Sequence, residues 1–136
     1  LEAVGPGGGG GGGGAVLGVS TSTGGEVLGA ETSCGYYLRN FLKITWKNNP
    51  SDVKKLQIFL NGDLGANLPI TGYFGPKTFD ATKQFQLKYY KEVLTPWVPY
   101  GLANEKTPTG FVYKTTLRQI NNLNCSELKL PVPSLP

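Results

Sequence analysis

The chain has 136 residues, with 13 Lys and Arg against 9 Asp and Glu, two Cys, and neither His nor Met. Without histidine, a Ser–His or Cys–His nucleophile is impossible and a zinc site would fall to carboxylates. Between the cysteines the acids are Asp52, Asp63, Asp80, Glu92 and Glu105, in no spacing that suggests paired-carboxylate catalysis, and each reads as a helix cap or a solvated group. The composition points to a non-enzymatic protein with no cofactor and no metal.

Residues 1–33 form a first segment, a Gly-rich extended arm. Gly5-Pro6 leads into Gly7-Gly8-Gly9-Gly10-Gly11-Gly12-Gly13-Gly14, and two short strand-like patches follow around Val16-Leu17 and Val27-Leu28. The composition is that of a flexible linker. Ordering such a run opposes folding by roughly 8 to 16 kcal/mol of backbone entropy. An ordered arm therefore needs a partner chain, against which polyglycine packs closely and the Val-Leu patches add as edge strands.

The second segment, residues 34–125, reads as a small, mainly α domain of three or four helices. A weak helical pattern, Tyr37, Leu38, Phe41 and Leu42, comes first. A stronger one has Asn49 as N-cap, Pro50 at the first helical position, Asp52 at the positive end, the stripe Val53, Leu56 and Leu60, and Gly62 or Gly65 as the stop. Next comes a phrase that occurs twice: Thr71-Gly72-Tyr73-Phe74-Gly75-Pro76-Lys77-Thr78-Phe79 and Thr109-Gly110-Phe111-Val112-Tyr113-Lys114-Thr115-Thr116-Leu117. In each copy the first glycine allows a tight turn at positive φ, and a helix follows. The helical stripes are Phe79, Thr82, Phe85 and Tyr89 in the first copy, and Leu117, Ile120 and Leu123 in the second. Between the copies, Val93 to Pro108 is a long connection. Trp46, Trp97 and Tyr100 fall in expected loops, where their rings either stack on sugar faces or join the core. Residues 126–136 form an extended Pro-rich tail, because Pro131, Pro133 and Pro136 forbid a helix.

Leu56-Gln57, then Ile70 to Thr78, then Ala81 and Phe85-Gln86 resemble the peptidoglycan-binding domain of bacterial cell-wall proteins. The resemblance covers about Val53 to Cys125 and is closest from Val53 to Gln86. It implies a peptidoglycan-binding-like helical fold, with loop residues that meet a glycan or peptide. Thr71 and Tyr73 at the first turn, with Trp97 and Tyr100 in the long connection, are the candidate glycan contacts. Thr71 and Thr109 stand where the family often carries an acidic residue.

Cys34 and Cys125 bracket the domain. A bridge between them would clasp its termini and contribute roughly 4 to 5 kcal/mol in the chain-entropy model. The alternative is a pair of buried thiols in a cytosolic protein. From Cys34 to Cys125 there are twelve Lys and Arg against five Asp and Glu, a net +7, whereas the arm carries Glu2, Glu26 and Glu31 and no base. Such a core attracts an anionic wall polymer or the acidic arm of another copy. No nucleic-acid motif and no membrane-spanning run is present. Asn124-Cys125-Ser126 is a formal glycosylation sequon that a disulfide would crowd.

The favoured expectation is a secreted or cell-surface bacterial protein whose leader has been removed. It would act as a non-enzymatic, self-assembling subunit of an extracellular filament, its arm joining copies into a homo-oligomer. The alternative is a module that anchors a protein to peptidoglycan. A third reading is the accessory domain of a wall hydrolase.

Overall fold

The computed structural model describes residues 34–136, and Cys34–Pro136 is one compact unit. The expectations placed on Gly7 to Gly14, Val16, Leu17, Val27 and Leu28 lie outside the described residues. Three longer helices, α1 (Pro50–Leu64), α2 (Pro76–Lys88) and α4 (Lys114–Asn124), are joined by a single turn, α3 (Tyr90–Val93), and a 3₁₀ segment, Thr95–Tyr100. The fold is thus mainly α, and among the described residues the only β pairing is an isolated bridge between Leu42 and Val112.

The start of α1 follows from local chemistry. The Asn49 side chain accepts from the Asp52 amide at 3.0 Å, and Pro50 occupies the first turn, where its missing N–H is no loss. Gly65, at φ 68°, ends the helix by returning its N–H to the Asn61 carbonyl, so Gly65 and not Gly62 is the stop. The stripe Val53, Leu56 and Leu60 is fully buried, and α1 packs on α2 through Phe85 and Ala81 in one core with Leu38, Leu42, Phe74, Val93, Leu94, Val112 and Ile120.

Residues 37–42 do not form the weak helix that their spacing suggests. Their backbone donors are taken by other partners. Asn121 Oδ1 accepts from the Tyr37 and Leu38 amides at 2.8 Å each, and Asp52 Oδ2 accepts from Arg39 and Asn40 at 3.2 and 3.0 Å. Leu42 exchanges both backbone bonds with Val112. The strand-like segment is laced between the start of α1 and the middle of α4, while Leu38 and Leu42 still reach the core. Asp52 is therefore a buried acceptor for backbone N–H groups as well as a first-turn acid, not a solvated group. The stripe of α4 also differs from expectation: Ile120 is buried and Leu117 half-buried, but Leu123 is exposed, and Thr115, Thr116 and Asn121 take the inner face. Polar side chains dominate that face because each has a backbone or side-chain partner, as shown below.

The tail after Cys125 has no helix beyond a turn and lies along α4. Asn122 brackets Leu130 with both amide atoms, Arg118 Nε donates to the Leu130 carbonyl at 3.0 Å, and Lys114 Nζ donates to the carbonyls of Ser134 and Pro136 at 2.8 Å each. Cys34 and Cys125 are bonded to each other, with Cα atoms 5.9 Å apart across 91 residues of sequence.

That loop length sets the first expectation. Reduction should lower the unfolding free energy by about 3 to 5 kcal/mol, read as a shift of the urea midpoint with and without reductant. A second follows from the contact between the end of α1 and the end of α2. Lys88 Nζ donates to Asp63 Oδ2 at 3.2 Å and to the Asp63 carbonyl, while the Tyr89 hydroxyl donates to Asp63 Oδ1 at 2.8 Å. The hydrogen bond to Asp63 holds the Lys88 proton more tightly than usual, and burial, aided by Asp63, raises the Tyr89 phenol. Burial also raises the Tyr37 phenol, which donates to the Lys55 carbonyl. A folded pKa above the unfolded one means stability that is fully present below the ordinary range near pH 10 and is lost as pH rises through the folded values. Denaturation midpoints should be flat up to about pH 9 and fall above about pH 10, with phenolate absorbance tracking the loss.

Candidate functional site: twin turns and an aromatic groove

The repeated phrase builds the same turn twice, and each turn is held by a buried glutamine from the preceding helix. Gln57, in α1, accepts through Oε1 from the amides of Thr71 and Gly72 at 2.9 and 3.1 Å. Its Nε2 faces the Thr71 hydroxyl, the Tyr73 carbonyl and the Thr78 hydroxyl at 3.3, 3.0 and 3.1 Å. Gln86, in α2, repeats the set. Oε1 accepts from Thr109 and Gly110 at 2.9 and 2.8 Å, and Nε2 faces the Thr109 hydroxyl, the Phe111 carbonyl and the Thr116 hydroxyl at 3.0, 3.1 and 3.2 Å. Both side chains are 1% exposed, and all of their amide hydrogen-bonding capacity is used.

The threonine before each glycine completes the turn. Its hydroxyl oxygen accepts from the amide two residues on, Tyr73 or Phe111, at 3.1 Å in both copies. An acidic side chain at this place would supply the same acceptor, so Thr71 and Thr109 preserve the turn without a negative charge. Glycine is required at the next position. Gly110 has φ 72°, and a Cβ there would lie 2.2 Å from a Phe79 ring carbon.

Beside each turn lies a groove. The first, about 330 Å³, is lined by Gln57, Pro69, Thr71, Tyr73, Pro76 and Lys77 among others, and Tyr73 stands 70% exposed. The second, about 320 Å³, belongs to the turn at Thr109 and is walled by Val93, Leu94, Trp97, Tyr100, Phe111 and Tyr113. The sequence candidates thus separate into two places: Thr71 and Tyr73 on the first groove, Trp97 and Tyr100 on the second.

The difference between the grooves comes from the longer second loop. Gln57 and Thr71 are 14 residues apart, but Gln86 and Thr109 are 23 apart. The added length holds the 3₁₀ segment, so Trp97 and Tyr100 lie on a regular element and not in a plain loop. Trp97 Nε1 donates to the Thr115 hydroxyl at 2.9 Å, and that hydroxyl donates to the Val93 carbonyl at 2.7 Å, which fixes the indole against α4.

Around the second groove the rings meet in the order Tyr100, Trp97, Tyr113, Phe111, Trp46, with centroid separations of 6.3, 5.7, 4.8 and 5.1 Å. Phe41 packs edge-on to Tyr113 at 4.6 Å. The row is rigid in its middle and exposed at its ends, where Tyr100 and Trp46 are about half exposed. Phe111 and Tyr113 belong to the repeated phrase, but in the sequence they read only as turn residues. Their signal was the aromatic pair at alternate positions, which places both rings on one side of an extended segment. Gln57 and Gln86 also carried a signal, a glutamine following the buried Leu56 and Phe85 on an otherwise apolar face.

The first glutamine-held turn, with its Thr-Gly and Gly-Pro-Lys-Thr residues, lies in the part of the chain that matches a known family. Residues 49–91 match the family of putative peptidoglycan-binding domains. No curated protein and no solved structure matches the chain. The matched segment comprises α1, the first turn, α2 and the start of α3, and Gln86, near its end, repeats the glutamine device with Thr109, which lies beyond it. This segment and the disulfide fit a cell-wall or extracellular location, and no helix among the described residues is long and apolar enough to cross a membrane.

If Gln86 organises the second groove, Gln86→Leu should leave the Thr109 and Gly110 amides and the Phe111 carbonyl without their partner. The expected loss is about 2 to 4 kcal/mol of stability by urea denaturation, with a shift in Trp97 fluorescence, since buried unsatisfied groups lose about 1 to 3 kcal/mol each before relaxation.

Proposed function

We propose that this chain is a non-enzymatic wall-binding module that holds peptidoglycan in the groove of its second turn. The observation that carries this reading is the aromatic row Tyr100, Trp97, Tyr113 and Phe111 lining a groove in a unit of which residues 49–91 match the family of putative peptidoglycan-binding domains. Sugar rings present apolar C–H faces with polar rims, and fixed aromatic rings bind such faces with little ordering entropy. The groove wall is largely apolar, and its glutamine, indole and Thr115 groups are already bonded within the domain, so recognition rests on shape and stacking, with the tyrosine hydroxyls at its rim. The basic surface adds long-range attraction to an anionic wall polymer.

Binding without catalysis agrees with the use made of the acids. Asp52 is engaged by backbone amides, Asp63 by Lys88 and Tyr89, and Glu105 accepts from Thr95. Self-assembly into a filament rests on the arm, which lies outside the described residues, and wall binding takes first place because its groove is on the described surface.

Co-sedimentation of the intact chain with purified peptidoglycan sacculi tests the proposal. Tyr100→Ala removes an exposed ring without disturbing the core and should weaken binding about tenfold, the equivalent of about 1.4 kcal/mol. A comparable loss in Tyr73→Ala instead would move the site to the first groove. No co-sedimentation of the unaltered chain overturns wall binding.

A further inference from the structure

The turn from Lys43 to Asn48 lies outside the matched family segment yet borders the aromatic row. It is held on every side. Asn48 Oδ1 accepts from the Lys43 amide, Asn48 Nδ2 donates to the carbonyls of Lys43 and Trp46, and the Trp46 amide closes the turn on the Lys43 carbonyl. The adjoining Leu42 is fixed to Val112. This frame places the Lys43 ammonium 5.4 Å from the centre of the Phe111 ring and 5.9 Å from that of Trp46.

A lysine ammonium normally finds a carboxylate or points freely into water. Among the described residues, the ion pairs are Lys83–Asp80 and Lys88–Asp63, and Lys43 has aromatic rings as its partners. No acidic side chain lines the groove that Phe111 walls. Lys114, the other cation beside the row, 5.7 Å from the Tyr113 ring centre, donates to the tail carbonyls of Ser134 and Pro136. Lys43 is therefore the cation on this surface whose donors remain for a ligand.

Resting on the reading of the groove as a wall-binding site, we infer that Lys43 makes it selective for a saccharide bearing a carboxylate, the sugar lying along the aromatic row and the carboxylate at the ammonium. A carboxylate fits better than a phosphate. Phosphate sites gather several free backbone N–H groups, whereas here the amides of Leu42, Lys43, Trp46 and Phe111 are all bonded within the domain. One ammonium against one negative charge is the complement that remains, and the neighbouring rings strengthen it by excluding water. Two wall chemistries carry such a group: the ether-linked acid of a muramyl sugar that bears no peptide, and the ring carboxylate of a uronic acid.

The test is a set of titrations of the full chain, followed by amide NMR shifts, against three probes: the N-acetylglucosaminyl-N-acetylmuramic acid disaccharide, the neutral N-acetylglucosamine disaccharide, and a glucuronic acid tetrasaccharide. The first two differ only in the acid-bearing ether. The expected result is about tenfold tighter binding of an acidic probe than of the neutral one, as for a charge-assisted hydrogen bond. That preference should vanish in Lys43→Gln and persist in Lys43→Arg. Whichever acidic probe shows it identifies the source of the carboxylate. Equal affinity for acidic and neutral probes, or a preference unchanged in Lys43→Gln, overturns the inference. Sacculus binding with no response to any of the three probes also overturns it, while leaving wall binding in place. Loss of sacculus binding itself removes the underlying reading.

Discussion

The fold depends on side-chain amides that stand in for missing secondary structure. A helical domain with long connections leaves many backbone groups without ladder partners, and burying them unpaired is unfavourable by a few kcal/mol each. Gln57, Gln86 and Asn121 solve this in the same manner. Each projects from one of the three longer helices and bonds both donors and acceptors of a distant segment: the first turn, the second turn and the Tyr37–Leu38 stretch. Asn61, Asn48 and Asn122 do the same at shorter range for Leu68, Lys43 and Leu130. The connections are therefore as well specified as the helices, which allows a loop to present a fixed surface.

The likeness of the two turns and the difference between their surfaces both follow from this arrangement. The glutamine, threonine and glycine keep the two turns superimposable in their hydrogen bonding, while the residues that face outward are free to vary. In the first copy the outward ring is a solitary Tyr73; in the second, Phe111 and Tyr113 meet a 3₁₀ segment that brings Trp97 and Tyr100 alongside. The structural part of the motif and its outward-facing part are separable, and the longer second connection changes the surroundings of the latter.

The same division explains what could be read from the sequence. The Asn49-Pro50 start, the Val53, Leu56, Leu60 stripe and the doubled Thr-Gly phrase were legible because caps, prolines and apolar spacing act within a few residues. The bond between Cys34 and Cys125 was legible as a possibility from position. Residues 37–42 misled because their apolar spacing is genuine, but their amides are claimed by Asn121, more than 80 residues away, and by Asp52 in the next helix, and no local rule reports either partner. Leu123 misled for a related reason: the inner face of α4 is occupied by Thr115, Thr116 and Asn121, whose burial is compensated only by groups on other segments. At the site, Trp97 and Tyr100 stood out as large rings in an odd place, whereas their meeting with Phe111 and Tyr113 required the fold.

The covalent link between Cys34 and Cys125 also determines how the domain would carry a mechanical load. Tension that enters the backbone at Cys34 and leaves beyond Cys125 passes through the sulfur atoms, so the 91-residue span between them, with its turns and aromatic groove, is bypassed. Only the segment after Cys125 can peel, by parting Leu130 from Asn122 and Arg118 and the last carbonyls from Lys114. A domain wired in this way keeps its grooves intact under a pull that would unravel an uncrosslinked helical bundle from its ends.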